Sequence, residues 1–265
     1  MQTDTVSTAA GFLGGEPTAE GEWRFSMGRE LYGAFGGVFG GAVAAASLTT
    51  ARSLAPGRVP VALDCRFVRS LPEGAARAMA TVVHEGRTLS CVTVDVLDQR
   101  ERIATRSTVS LVDPAVLNPL DHAGASSPVP SWTEVENGTR WRQPPGVDAP
   151  IIETLEPEVI GRDDRGIATA IRVPWQPGGA GAEAACLAAD LCVGPPLAAA
   201  FPDRWIPHPN PDLSLRFVAA PQDERVVAAG RLERIAAGLA VVRIEVWSGA
   251  ELAAAGVSTS LLLRG

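Results

Sequence analysis

Lysine is missing from this chain: all 23 basic residues are arginine. Schiff-base and pyridoxal-phosphate chemistry and the phosphate-binding P-loop, all of which need a lysine amine, are therefore excluded. An all-arginine bias of this kind reads as genome composition rather than function. Cysteine is scarce as well. Cys65, Cys91, Cys186 and Cys192 form no C-x-x-C pair, so neither a zinc site nor a disulfide framework is indicated. They read as small buried hydrophobes. Positive charge is never clustered and the net charge is −7, which argues against a nucleic-acid partner. No apolar run reaches the roughly 18 residues of a membrane span. The first residues lack the basic-then-apolar pattern of a signal peptide, so the expectation is a cytoplasmic protein. There is no G-x-S-x-G elbow, and the three histidines, His84, His122 and His208, fall in no Ser-His-Asp order. No cofactor or metal is called for.

What the chain does have is a repeat. Hydrophobic residues make up 46 % of its 265 residues and charged residues 20 %, enough for two small cores and too few charges for disorder. Arg66-Phe67-Val68 recurs as Arg216-Phe217-Val218, an offset (216 minus 66) of 150 residues. Under the same offset Ala78 meets Ala228, Leu89 meets Leu239, Val92 meets Val242 and Val96 meets Val246. Glu101 meets Glu251, and Ser110-Leu111 meets Ser260-Leu261. A two-unit repeat implies similar halves packed about a pseudo-twofold axis, with a cleft favoured at their junction.

The units are expected at 1–112 and 151–265, with a Pro/Gly-rich linker at 113–150 whose Trp132 and Trp141 pack on the surface. Residues 1–20 read as a loose leader and 22–27 as a strand. A helix is expected over 42–54, ended by Pro56-Gly57. Alternating strands follow at 61–68, 76–84, 89–97 and 103–112. In the second unit, strands are expected at 166–173, 213–218, 225–234, 239–247 and 252–263. A helix over 182–189 is broken at Pro195-Pro196, and 197–201 resumes it. One helix against a curved antiparallel sheet, made twice, is the hotdog pattern. The fold class is therefore α+β, a tandem double hotdog with two antiparallel sheets, each wrapping a central helix and meeting edge to edge.

Here the sequence resembles the double-hotdog acyl-CoA thioesterase II family. Val38-Phe39-Gly40-Gly41 looks like the start of that family's first helix. Phe67-Val68-Arg69 and Glu85-Gly86-Arg87-Thr88-Leu89-Ser90 are similar to its F-L-R and D-G-R-S-F-S strands. Ala189-Asp190-Leu191 resembles its S-D-x, and Pro211 to Phe217 its L-D-[HL]-[ST]-x-x-F. The resemblance covers most of the chain except leader and linker.

The resemblance implies hydrolysis of an acyl thioester, carried by coenzyme A or a carrier protein, in a protein that can form homo-oligomers. It gives Asp190 the role of orienting the attacking water, and the repeat places Asp190 in the slot of Gly40. Free N–H groups at Gly40 and Gly41 are expected to polarise the thioester carbonyl. The family's water-holding Thr falls on Asn210. Its Gln falls on Ser258, or with a shifted gap on Ser260, two residues along the same strand face. Asp64, repeat partner of Ser214, stands where the family often carries a His. It reads either as a second cleft acid or as an ion-pair partner of an Arg such as Arg66, and Ser214 is grouped with it at the substrate side. Asp212 reads as a strand-start hydrogen bonder. Arg69 and Arg87 sit where they can meet coenzyme A phosphates, though a solvated surface Arg is the commoner reading. His208 lies close enough to Asn210 to line the pocket, or serves only its turn. Two rivals stand. A hotdog hydratase needs a His beside Asp190, which is missing. A non-hydrolytic protein binding or cyclising an acyl or polyketide-like ligand is favoured by the lost Thr and Gln and disfavoured by the retained Asp190.

Overall fold

A computed structural model describes residues 8–120, 138–143, 146–162, 166–175 and 181–264. His122 and Trp132 lie outside the described residues. Each half contributes a run of hairpins, and the runs obey the 150-residue offset almost to the residue. In the first half these strands are β3 (Val59–Phe67), β4 (Ala76–Glu85), β5 (Leu89–Leu97) and β6 (Ile103–Val112). Their counterparts are β10 (Asp212–Phe217), β11 (Arg225–Ala236), β12 (Leu239–Ser248) and β13 (Glu251–Leu261). Alternation puts Val92, Val94 and Val96 of β5 and Val242, Ile244 and Val246 of β12 on the buried face.

Both sets pair in the same order, β4-β5-β6-β3 and β11-β12-β13-β10. They join through antiparallel β3 and β10, so the two hotdog sheets run on as one thirteen-stranded sheet among the described residues. At that seam Asp64 stands opposite Ser214, flanked by Cys65 opposite Leu213 and Leu63 opposite Leu215. Repeat partners facing each other mark where the pseudo-twofold axis crosses the sheet. Each half also carries two strands that hairpin outward: β2 (Glu22–Phe25) and β1 (Gly15–Ala19) beside β4, and β9 (Gly166–Arg172) and β8 (Glu158–Arg162) beside β11. The stretch read as a loose leader thus supplies β1 and a short helix α1 (Ala9–Phe12). Gly14 and Gly21, both at positive φ, make the turns that let it do so. Strand β8 was not expected. Within the linker, β7 (Thr139–Arg140) pairs with β8 and Trp141 packs on the core, and just beyond it α3 (Ile151–Leu155) buries Ile151, Ile152 and Leu155.

The sheet wraps two helices, α2 (Gly40–Ser53) and α4 (Gly181–Leu191). Both are buried nearly all round, and both are rich in alanine, so they approach closely. They run antiparallel. Gly41, at the start of α2, meets Asp190 near the end of α4, while Arg52, near the end of α2, meets Glu183 near the start of α4. Residues 181–200, which include the short α5 (Gly194–Ala200), are long and apolar enough to cross a membrane, yet 83 % of that window is buried inside the fold.

The helices depart from the strand offset. Asp190 is not the element-equivalent of Gly40, because it closes one helix and Gly40 opens the other. The second half inserts α5 and a proline-rich turn between its helix and β10, which displaces the helix relative to the strands. The two residues still meet, through the antiparallel crossing.

Gly41 packs tightly at that crossing. A Cβ there would stand 2.8 Å from the Cys186 carbonyl oxygen and 3.0 Å from the Leu187 Cα, both backbone atoms that cannot turn away. Gly41→Ala is expected to lower unfolding stability by about 1–3 kcal/mol, measured by urea denaturation. A gain of about 1 kcal/mol, the ordinary helix-propensity effect of that change, would contradict this packing.

Candidate active site

The N-cap residue of α2, Phe39, offers no side-chain acceptor to the helix. Asp190 supplies one from the other half: its Oδ2 accepts from Gly41 N–H at 2.8 Å. Its Oδ1 accepts from Asn210 Nδ2 at 2.7 Å, and the same amide nitrogen reaches the Asp212 carbonyl at 3.4 Å. Only the Asn210 amide nitrogen can face a carboxylate, so Asn210 Oδ1 is left as an acceptor. Asp190 is 7 % exposed. Burial pushes its carboxyl up to about 6, against the lowering effect of the Asn210 and Gly41 bonds.

Gly40 fits this arrangement because it is bare. A Cβ there would come within 3.0 Å of both Asp190 Oδ2 and the Phe67 ring. Its N–H opens the helix and donates to no group among the described residues. The Gly41 N–H is committed to Asp190, so Gly40 alone of the expected pair has a donor to offer.

Asp190, Gly40 and Asn210 share the wall of a cavity of about 510 Å³. Its lining is mostly apolar, including Phe35, Phe39, Val43, Phe67, Trp141, Ile151, Leu191 and Trp205. Arg69, exposed, stands on the same wall, as do Thr105 and His208. Burial pushes His208 below the usual imidazole range, and its Nδ1 lies 2.7 Å from the Ile206 carbonyl.

Four expected site residues fall elsewhere. Asp64 and Ser214 are on the outer face of the sheet, because Leu63, Cys65, Leu213 and Leu215 take the inner one. Asp64 pairs with Arg216 at 3.1 Å, not with Arg66, which lies 3.6 Å from Asp212. Ser258 is inward but fully buried, and its hydroxyl donates to the Asp212 carbonyl at 2.7 Å. Ser260 is equally buried and has no hydrogen-bond partner among the described residues. Neither serine is on the cavity wall. Asp212 starts β10 and accepts from Thr259 N–H at 2.8 Å. Arg87 is exposed and off the wall. The cysteines are free, and burial pushes the Cys65 thiol up to about 12, which removes it as a nucleophile.

Thr105 was missed. A threonine on the inward face of β6 is a visible signal, but Ser107 on the same face is structural, bonded to Ser47 and Cys65. The aromatic wall was missed because its members come from four separate segments.

Comparison with known proteins bears on the fold. Residues 29–112 match the family model of the acyl-CoA thioesterase N-terminal domain. Among solved structures, a hot dog fold protein of unknown function from Alicyclobacillus acidocaldarius superposes with a TM-score of 0.81 at 19 % identity, over 97 % of this chain and 98 % of that one. The tesB protein of Mycobacterium avium subs paratuberculosis gives 0.77 at 17 % identity, over 97 % and 98 %. The acyl-CoA thioesterase II TesB2 of Mycobacterium marinum gives 0.72 at 16 %, over 97 % of both chains. At these identities the likeness is one of fold, and the fold is the double hotdog. Among curated protein sequences nothing matches.

A buried carboxylate raised to about 6 has a stability signature. The folded protein holds the Asp190 proton to higher pH than the unfolded chain. Stability from this group is therefore complete below about pH 4 and is lost as pH rises through about 6, by an amount on the order of 1–3 kcal/mol. Asp190→Asn removes the dependence. Urea unfolding is expected to show the variant more stable than the parent at pH 7.5, with the gain vanishing towards pH 4.

Proposed function

We propose that the protein hydrolyses an acyl thioester, with Asp190 orienting and deprotonating the attacking water. The observation that carries this reading is a buried carboxylate, its pKa raised by burial to about 6, gripped by Gly41 and Asn210 in an apolar cavity beside the free N–H of Gly40. The family match over residues 29–112 supports the substrate class.

The water lies between Asp190 and Asn210 Oδ1. The thioester carbonyl oxygen takes the Gly40 N–H, a preorganised donor at a helix start. Water oxygen bonds the carbonyl carbon as Asp190 accepts the proton. The intermediate collapses with cleavage of the C–S bond, and Asp190 returns the proton to sulfur, giving an acid and a thiol. Asp190 acts through water rather than attacking itself. Both its oxygens already accept hydrogen bonds, which lowers their nucleophilicity and fixes their direction. Arg69 at the cavity wall meets the phosphate of the pantetheine arm. The second reading, binding or cyclisation without hydrolysis, has one observation in its favour: Ser258, the stand-in for the family's Gln, donates to the Asp212 carbonyl and lies off the cavity wall.

Thiol release over a panel of short, long, branched and aromatic acyl-CoAs decides between them. Cleavage is expected to rise with pH on a limb of apparent pKa about 6. Asp190→Asn should lower kcat at least about a hundredfold. Asn210→Ala removes a bond that lowers the Asp190 pKa, so the limb should move to higher pH. If the parent releases no thiol from any member of the panel, hydrolysis is the wrong class.

A further inference from the structure

His208 has no part in the chemistry above, yet it is held more firmly than a turn residue needs. It is 6 % exposed. A carbonyl oxygen only accepts, so the 2.7 Å contact with Ile206 puts the ring proton on Nδ1 and leaves a lone pair on Nε2. Two aromatic rings fix the imidazole plane, Trp205 at 4.9 Å and 61° and Phe35 at 5.6 Å and 74°. Nε2 looks towards Gly194, where even an added Cβ would stop 3.6 Å short of it. Both residues are on the cavity wall, and the neighbouring lining, Val193, Pro195 and Ala198, offers no side-chain donor. Among the described residues Nε2 has no protein partner.

We propose that His208 is a hydrogen-bond acceptor built into the cavity to hold an N–H or O–H donor of the bound molecule. This rests on reading the cavity as a thioester site and adds a substrate requirement to it. An acyl thioester offers such a donor in two places, an amide N–H of the pantetheine arm or a hydroxyl on the acyl chain. His208 is a positioning residue: it fixes where the thioester stops along the cavity relative to Asp190. A lone pair open to an apolar-walled cavity favours a ligand that satisfies it and rejects one that cannot.

The test reads binding, not cleavage. Calorimetry compares three uncleavable thioethers, S-hexyl-CoA, S-(3-hydroxyhexyl)-CoA and S-hexyl-CoA methylated at the cysteamine amide. Each is titrated into the parent, His208→Phe and His208→Gln, with thermal unfolding as a check of fold. In the parent, either the added hydroxyl tightens binding or the lost N–H weakens it, by about tenfold, the scale of one hydrogen bond. Which of the two responds identifies the source. In His208→Phe, which keeps a flat ring against Trp205 and Phe35, that difference should shrink below about twofold. His208→Gln, with a movable acceptor, should keep an intermediate difference, and it carries the comparison if the Phe variant does not fold. The proposal is overturned if neither donor matters in the parent, if the tenfold difference survives in His208→Phe, or, where that variant does not fold, if it survives undiminished in His208→Gln. A protein that binds these thioethers but cleaves no thioester would refute hydrolysis alone. One that cleaves thioesters without a His208-dependent difference would refute this inference alone.

Discussion

One carboxylate joins the two halves of this protein. Asp190, from the second half, takes the place of a missing N-cap on the central helix of the first. A helix start inside a core needs an acceptor for its free N–H groups, and the repeat provides it from the opposite unit. The consequence is a charged group where burial disfavours charge. Two donors hold it in the ionised form, but only partly, and its pKa stays near 6. The same contact therefore closes the interface between the units and leaves a carboxylate of raised pKa against the cavity. Gly40 and Gly41 follow from it, since a side chain at either would push the helices or the carboxylate away.

The pseudo-twofold axis makes a second helix crossing at the other ends of α2 and α4, and the chain treats it differently. There Glu183 is matched by Arg52 at 2.8 Å and approached by Thr49. A paired carboxylate is neutralised, while among the described residues Asp190 has hydrogen-bond donors but no counter-ion. Duplication thus produced two equivalent junctions, of which one is closed by an ion pair and the other keeps an unmatched carboxylate against a cavity. The asymmetry lies in the residues that fill the junctions, not in the strands.

Strands were legible because hairpin lengths are conserved across the repeat, so one offset orders eight strands and their seam. The helix register was not, because the second half carries an extra helix and a proline-rich turn that no strand pairing constrains. Asp190, Asn210 and Gly40 were found through motif order, and the geometry joins them. Ser258 and Ser260 show the limit of alternation: period two fixes which face a side chain takes, not how far along the strand the cavity extends. Asp64 was readable. Its neighbours Leu63 and Cys65 claim the inner face, which leaves Asp64 outside with Arg216. The aromatic wall depends on tertiary closure of segments far apart in sequence, and nothing local announces it; the closeness of His208 to Asn210 put it near the pocket, but not its contacts with Trp205 and Phe35.

The central claim is that Asp190 acts on water and does not itself take the acyl group. A single turnover in oxygen-18 water, with enzyme in excess over an acyl-CoA it cleaves, separates the two. Mass spectrometry of the released acid and of the peptide containing Asp190 should find the label in the acid after the first turnover and none in Asp190. Label in the Asp190 carboxylate, with unlabelled oxygen transferred to the first acid, would mean the carboxylate attacks the thioester directly and would contradict the account.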